Sequence, residues 1–79
     1  MTRPTRMDEE SRMRQIFAER LKDSRLRKGL TPIALSKDLD CTRMDIHNYE
    51  AARSIPRAAM MVRIADALNE TVDWFLGRY

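Results

Sequence analysis

Apolar residues along this chain recur at helical spacing almost throughout, and no stretch alternates as a half-buried strand would. Ile16, Phe17, Leu21 and Ser24 stand at i, i+1, i+5 and i+8, which predicts the inner face of a helix beginning near Asp8. Asp8, Glu9 and Glu10 suit the positive end of that helix, and Arg25, Arg27 and Lys28 suit its negative end. Gly29 supplies a left-handed residue to stop it. Thr31-Pro32 then reads as a cap followed by proline at the first helical position, where the missing N–H has no partner to lose. Leu35 and Leu39, one turn apart, mark the buried face of this second helix.

Thr42 and Asp45 have the spacing of a capping box, with Asp in place of the longer Glu, and predict a third helix running to about Glu50. A connection over 51–55 follows, and Pro56 reads as the opening of a fourth helix. Met61, Ile64, Ala65 and Leu68 form its i, i+3, i+4, i+7 stripe, and Asn69 ends it. Thr71 caps a last short helix, Val72 to Leu76, stopped by Gly77. The fold class is therefore all-α, five helices with short connections. Residues 1–10 read as a flexible basic N-terminal arm and residues 11–79 as a single domain.

Composition narrows the picture. The 79 residues leave room for one small core, because a chain of this size buries only about 60% of its unfolded surface. That disfavours an enzyme with an enclosed active site. No apolar stretch approaches the roughly 20 residues of a membrane span, and the basic N-terminus lacks the apolar region of a secretory signal. One cysteine makes no internal disulfide and fits a reducing cytoplasm. The net charge of +3 hints at an anionic partner, but its distribution matters more. Residues 1–30 hold nine cations and five anions, 31–57 hold four of each, and 58–79 hold two and three. The excess sits in the arm and first helix, so truncating the arm should lower non-specific affinity for an anionic polymer.

Residues 32–51 match a twenty-position helix-turn-helix pattern. Its fourth, eighth, tenth, fifteenth and eighteenth places are Leu35, Leu39, Cys41, Ile46 and Tyr49, and its fifth is the small Ser36. Two helices joined by a short turn at a steep angle need apolar contacts at those places and little bulk at the crossing. On a wheel at 100° per residue, Ile46 and Tyr49 of the third helix face one way. Met44, His47 and Asn48 face the other, with Arg43 at the N-terminal edge. Such a face suits a major groove: Arg pairs with guanine O6/N7, Asn with adenine N6/N7, and an apolar chain meets the thymine methyl.

With these features in register, residues 16–77 resemble the lambda-repressor-like, Cro-type helix-turn-helix proteins. The resemblance rests on Gly29-Leu30-Thr31, Leu35, Leu39, the Thr42–Glu50 helix, Pro56, Ile64-Ala65-Asp66-Ala67-Leu68 and Asp73-Trp74-Phe75-Leu76-Gly77. It implies a compact five-helix DNA-binding domain, cytoplasmic and nucleoid-associated, of a prokaryote or phage. It implies base contacts from Arg43, Met44, His47 and Asn48, and phosphate contacts from Thr31, Thr42, Arg53 and Arg57. It also implies an ion pair between Arg25 and Glu50 that fixes the third helix against the first. Three positions depart from the family: Pro32 replaces a phosphate-contacting Gln, Asp40 the turn Gly, and Ala52 a loop Gly. These departures bear on the phosphate clamp more than on the fold.

The blander readings stand beside these. Cys41 reads as a small buried hydrophobe instead of a redox group. His47 has no companions spaced for metal ligation, and no cofactor is implied. No nucleophile, base or phosphate loop assembles, so no catalysis is expected. Met44 suits a base contact or a protein contact. Arg3 and Arg6 read as a solvated tail or as an arm reaching DNA. Trp74, Phe75 and Tyr79 crowd the chain end and are candidate dimer contacts, or Phe75 and Leu76 close the core. The expected function is sequence-specific binding of double-stranded DNA by a transcriptional regulator, a repressor of Cro type acting as a homodimer on a palindromic operator. The alternative is an antitoxin or adaptor whose main task is holding another protein.

Overall fold

The computed structural model describes residues 6–78, with side chains from Asp8 onward. Among these residues the chain forms five helices and no strand: α1 Arg6–Arg27, α2 Pro32–Leu39, α3 Arg43–Glu50, α4 Ala58–Leu68 and α5 Val72–Phe75. Helix α1 begins inside the segment expected to be a flexible arm, so residues 6–10 are its first turns. Asp8 and Glu9 in its first turn complement the exposed N–H groups there. The expectations for Arg3, for the Arg6 side chain and for Tyr79 lie outside the described residues.

Helices α2, α3 and α5 start where a threonine hydroxyl accepts from the first turn, and α4 does not. The Oγ1 atoms of Thr31, Thr42 and Thr71 accept from the backbone N–H of Ala34, Asp45 and Trp74 at 3.1, 3.0 and 3.0 Å. Helix α4 does not open at Pro56. Pro56 is buried, Arg57 is extended (φ −61, ψ 161) and stands at the N-cap without a side-chain bond, and the helix begins at Ala58. The fixed φ of proline fits an extended residue as well as a first helical turn, and burial of the ring decides between them.

All five helices end in the same way. A left-handed residue stands just past each helix: Gly29, Asp40, Ala52, Asn69 and Gly77, with φ between 54 and 75. The N–H of the following residue returns to the carbonyl five positions back, as in Leu30 to Arg25 (3.1 Å), Cys41 to Ser36 (2.9 Å) and Arg53 to Asn48 (3.0 Å). Glu70 to Ala65 (3.0 Å) and Arg78 to Asp73 (2.7 Å) complete the set. These bonds satisfy carbonyls that a helix end otherwise strands, and they reverse the chain within two residues. At Gly77 a second reason disfavours a side chain, since a Cβ there would lie 3.1 Å from Ile16 Cγ2, which would have to give way.

The core gathers one stripe from each helix. Phe17 and Leu21 of α1 meet Leu35 and Leu39 of α2, Ile46 of α3, Ile64 and Leu68 of α4, and Phe75 of α5, all fully enclosed. Phe17 is its hub, edge-on to Tyr49 at 6.0 Å between centroids and tilted against Phe75 at 5.9 Å. Ser36 is buried as a close helix crossing requires, and its hydroxyl donates to the Ile33 carbonyl at 2.7 Å. Cys41 and Ile16 are half-buried at the margin instead of fully inside. Phe75, expected either as a dimer contact or as closing the core, is 0% exposed and packs between Phe17 and Trp74. Trp74 stays half-buried under the guanidinium groups of Arg20 and Arg27, 5.1 and 5.5 Å from its ring. Among the described residues no helix is long and apolar enough to cross a membrane.

Candidate nucleic-acid interface

The third helix is short, eight residues, so its orientation must come from outside itself. Its N-terminus is fixed by a complete capping box. Asp45 N–H donates to Thr42 Oγ1 and Thr42 N–H donates to Asp45 Oδ2, both at 3.0 Å. The Asp45 carboxylate is thus occupied at the cap. The C-terminus is fixed by Glu50, which accepts from Arg25 Nε at 2.7 Å and from Arg25 NH2 at 3.0 Å. Arg25 NH1 completes the fork by donating to the Leu30 carbonyl at 2.8 Å, tying in the turn before α2. Both side chains are largely buried, at 8% and 13% exposure. The bond to Glu50 raises the Arg25 pKa further, burial opposes it, and the charge of Glu50 adds to the rise. No buried polar side-chain atom among the described residues lacks a partner.

Held at both ends, α3 turns Ile46 fully inward and Tyr49 partly so, and turns Arg43, Met44 and His47 to solvent. Met44 is 58% exposed. These three side chains border an open groove of about 500 Å³ together with Pro32 of α2, Lys22 of α1, and Glu50 and Ala51. Lys22 was not singled out from the sequence. No local pattern marks it, and its place beside the groove comes from the packing of α1 against α3.

Asn48 does not border that groove. It is half-buried on the flank of α3, where its Oδ1 accepts from Arg53 NH1 at 3.5 Å. Arg57 is exposed at the start of α4 and close enough to Tyr49 to favour its ionised form. Burial outweighs that effect and raises the Tyr49 phenol above its ordinary range, as it does the Cys41 thiol, in both cases with help from Asp45. Thr31 and Thr42 are exposed. Their oxygens are fixed by capping bonds, and each hydroxyl keeps its own hydrogen to donate.

The sequence matches the helix-turn-helix domain family over residues 16–73, more than half of the chain. No curated protein matches the chain. Among solved structures, the fold is similar to that of an HTH_3 family transcriptional regulator from Vibrio cholerae, with a TM-score of 0.76 and 22% identity. That match covers 86% of this chain, which spans only 38% of the Vibrio protein. It is also similar to a hypothetical transcription factor, NHTF, from Neisseria, with a TM-score of 0.77 and 21% identity. There the match covers 95% of this chain and 86% of the other. With α2 and α3 joined by a two-residue turn past Asp40 and packed over the Leu35–Leu39–Ile46 core, the chain belongs to the helix-turn-helix domain family.

Proposed function

We propose that this chain binds double-stranded DNA by sequence and regulates transcription, as a repressor of Cro type working as a homodimer on a palindromic operator. The observation that carries the reading is α3 itself. It is a short helix pinned at both ends that presents Arg43, Met44 and His47 outward along a groove shared with Lys22. Those side chains offer a guanidinium, a methyl-contacting apolar chain and an imidazole to base edges. Thr31, Thr42, Arg53 and Arg57 surround the helix with hydroxyl and cationic donors suited to phosphates. One eight-residue helix supplies few base contacts. Two copies related by a two-fold axis, with recognition helices about 34 Å apart, supply enough for a specific site. Trp74 remains a candidate for the contact between copies.

The test is binding to random DNA at two salt concentrations, followed by enrichment of bound sequences from a random pool. Affinity that falls steeply with salt, because phosphate contacts release counterions, and an enriched inverted repeat are the expected results. Salt-insensitive or absent binding overturns the reading. The alternative, an antitoxin or adaptor that chiefly holds another protein, draws on one observation: Met44 and Ile33 are 58% and 49% exposed.

A further inference from the structure

Taking the DNA-binding reading as its basis, we propose that Arg53 is a positioning residue. It holds the Asn48 amide so that Asn48 acts as a donor to base edges and selects guanine or thymine over adenine. The turn ending α3 builds this pairing. Ala52 is left-handed at φ 60, its N–H returns to Tyr49 O at 3.2 Å, and the Arg53 N–H returns to Asn48 O at 3.0 Å. Such a turn sets the residue after the left-handed position against the one five places earlier, and that pair is ordinarily apolar. Here it is Arg53 and Asn48, with NH1 3.5 Å from Oδ1. The backbone bond keeps the two residues together even while the exposed guanidinium moves.

A guanidinium carries donors only, so it fixes which end of the amide faces it. Oδ1 turns toward Arg53 and Nδ2 turns away, since the reversed amide would set its N–H groups against a cation. The bidentate pairing of asparagine with adenine needs both ends: Nδ2 gives to N7, and Oδ1 takes from N6. With a cation on Oδ1, adenine brings its amino hydrogens toward positive charge. Guanine presents acceptors at both O6 and N7, and thymine presents O4, so Nδ2 is satisfied without that conflict. Arg53 thereby acts on one base position through Asn48, in addition to any contact it makes with phosphate.

The experiment enriches bound sequences from a random pool using the full chain, Asn48→Ala and Arg53→Ala, with circular dichroism confirming the fold of each. The position that loses its preference in Asn48→Ala is the one Asn48 reads. At that position the unmodified chain should favour guanine or thymine by about tenfold over adenine. Arg53→Ala should raise adenine to at least parity there while leaving the other positions unchanged. Adenine as the favoured base of the unmodified chain overturns the positioning role. So does an Asn48→Ala variant that changes no position, or an Arg53→Ala variant that only weakens all sequences equally. If the unmodified chain enriches no sequence, it is the DNA-binding reading itself that falls.

Discussion

Arg25 and Glu50 meet in a two-bond fork, Nε to Oε2 at 2.7 Å and NH2 to Oε1 at 3.0 Å, with the third nitrogen on the Leu30 carbonyl. This single contact joins α1, the turn into α2, and the C-terminal end of α3. Its net stabilisation is small relative to an apolar pair, because two charges leave water to form it. Removing one partner strands the other charge. Glu50→Ala should therefore cost about 3–5 kcal/mol, read as a lower midpoint in urea denaturation. The double change Arg25→Met with Glu50→Leu should recover most of the loss. Equal instability of the single and double variants would show that the contact itself, and not the stranded charge, carries the effect.

Ala52 sits at φ 60, a conformation that costs a residue with a Cβ about 1–2 kcal/mol. Ala52→Gly relieves that strain but gives the unfolded chain more freedom, so the net gain should be about 0.5–1 kcal/mol. Thermal denaturation checks it, with an expected rise in midpoint of several degrees for a domain this small. Asp40→Gly, at φ 54, should gain less, because Asp tolerates this region better than Ala does.

The five helix ends show where the sequence is legible. Gly29, Gly77 and Asn69 announce left-handed residues by their own preferences, and Asp40 does so less strongly. Ala52 carries no such preference, and only the resemblance to a family with glycine there marks the position. Pro56 misleads for the opposite reason, since its ring suits two backbone states and its burial in the assembled fold chooses the extended one. At the chain end, local pattern cannot divide Trp74 from Phe75. They are neighbours on one short helix, and the division depends on Phe17 arriving from 58 positions earlier in the chain. A wheel with Ile46 inward made Arg43, Met44 and His47 readable as outward residues. It placed Asn48 with them, whereas Asn48 is half-buried on the flank of α3 beside Arg53. Lys22 was not readable, since a lysine on a long helix looks solvated until α2 and α3 are packed beside it. The Arg25–Glu50 pair came from resemblance, as no local rule joins residues so far apart.

Cys41 and Tyr49 have pKa values raised above their ordinary ranges, chiefly by burial. The folded state thus holds both protons more tightly than the unfolded state. That contribution is fully present below the unfolded thiol's value and is lost progressively as pH rises above about 8.5. Stability should be flat through neutral pH and decline in the alkaline range. Cys41→Ala should soften the first part of the decline and leave the part above about pH 10, which belongs to Tyr49. Urea midpoints across pH check this, as does slow alkylation of Cys41 at pH 8 that accelerates when urea unfolds the chain. A decline of equal shape in both proteins would assign it to other groups.

Lys22 and Arg43 border the same groove, yet their chemistry separates them. Lys22 is a point charge on a flexible stem without the rigid planar fork of an arginine. If it meets a phosphate, Lys22→Ala should weaken every DNA sequence similarly and lower the slope of log affinity against log salt by about one. Arg43 stands exposed at the N-terminal end of α3, where a planar fork can grip one guanine. Arg43→Ala should lose about tenfold in discrimination at one or two positions of the bound sequence, with a smaller change in binding to random DNA. Enrichment of each variant against the same pool, with affinities measured at two salt concentrations, decides the matter. If Lys22→Ala narrows or shifts the selected sequence while Arg43→Ala leaves it intact, α1 carries the base contacts and α3 the phosphate contacts.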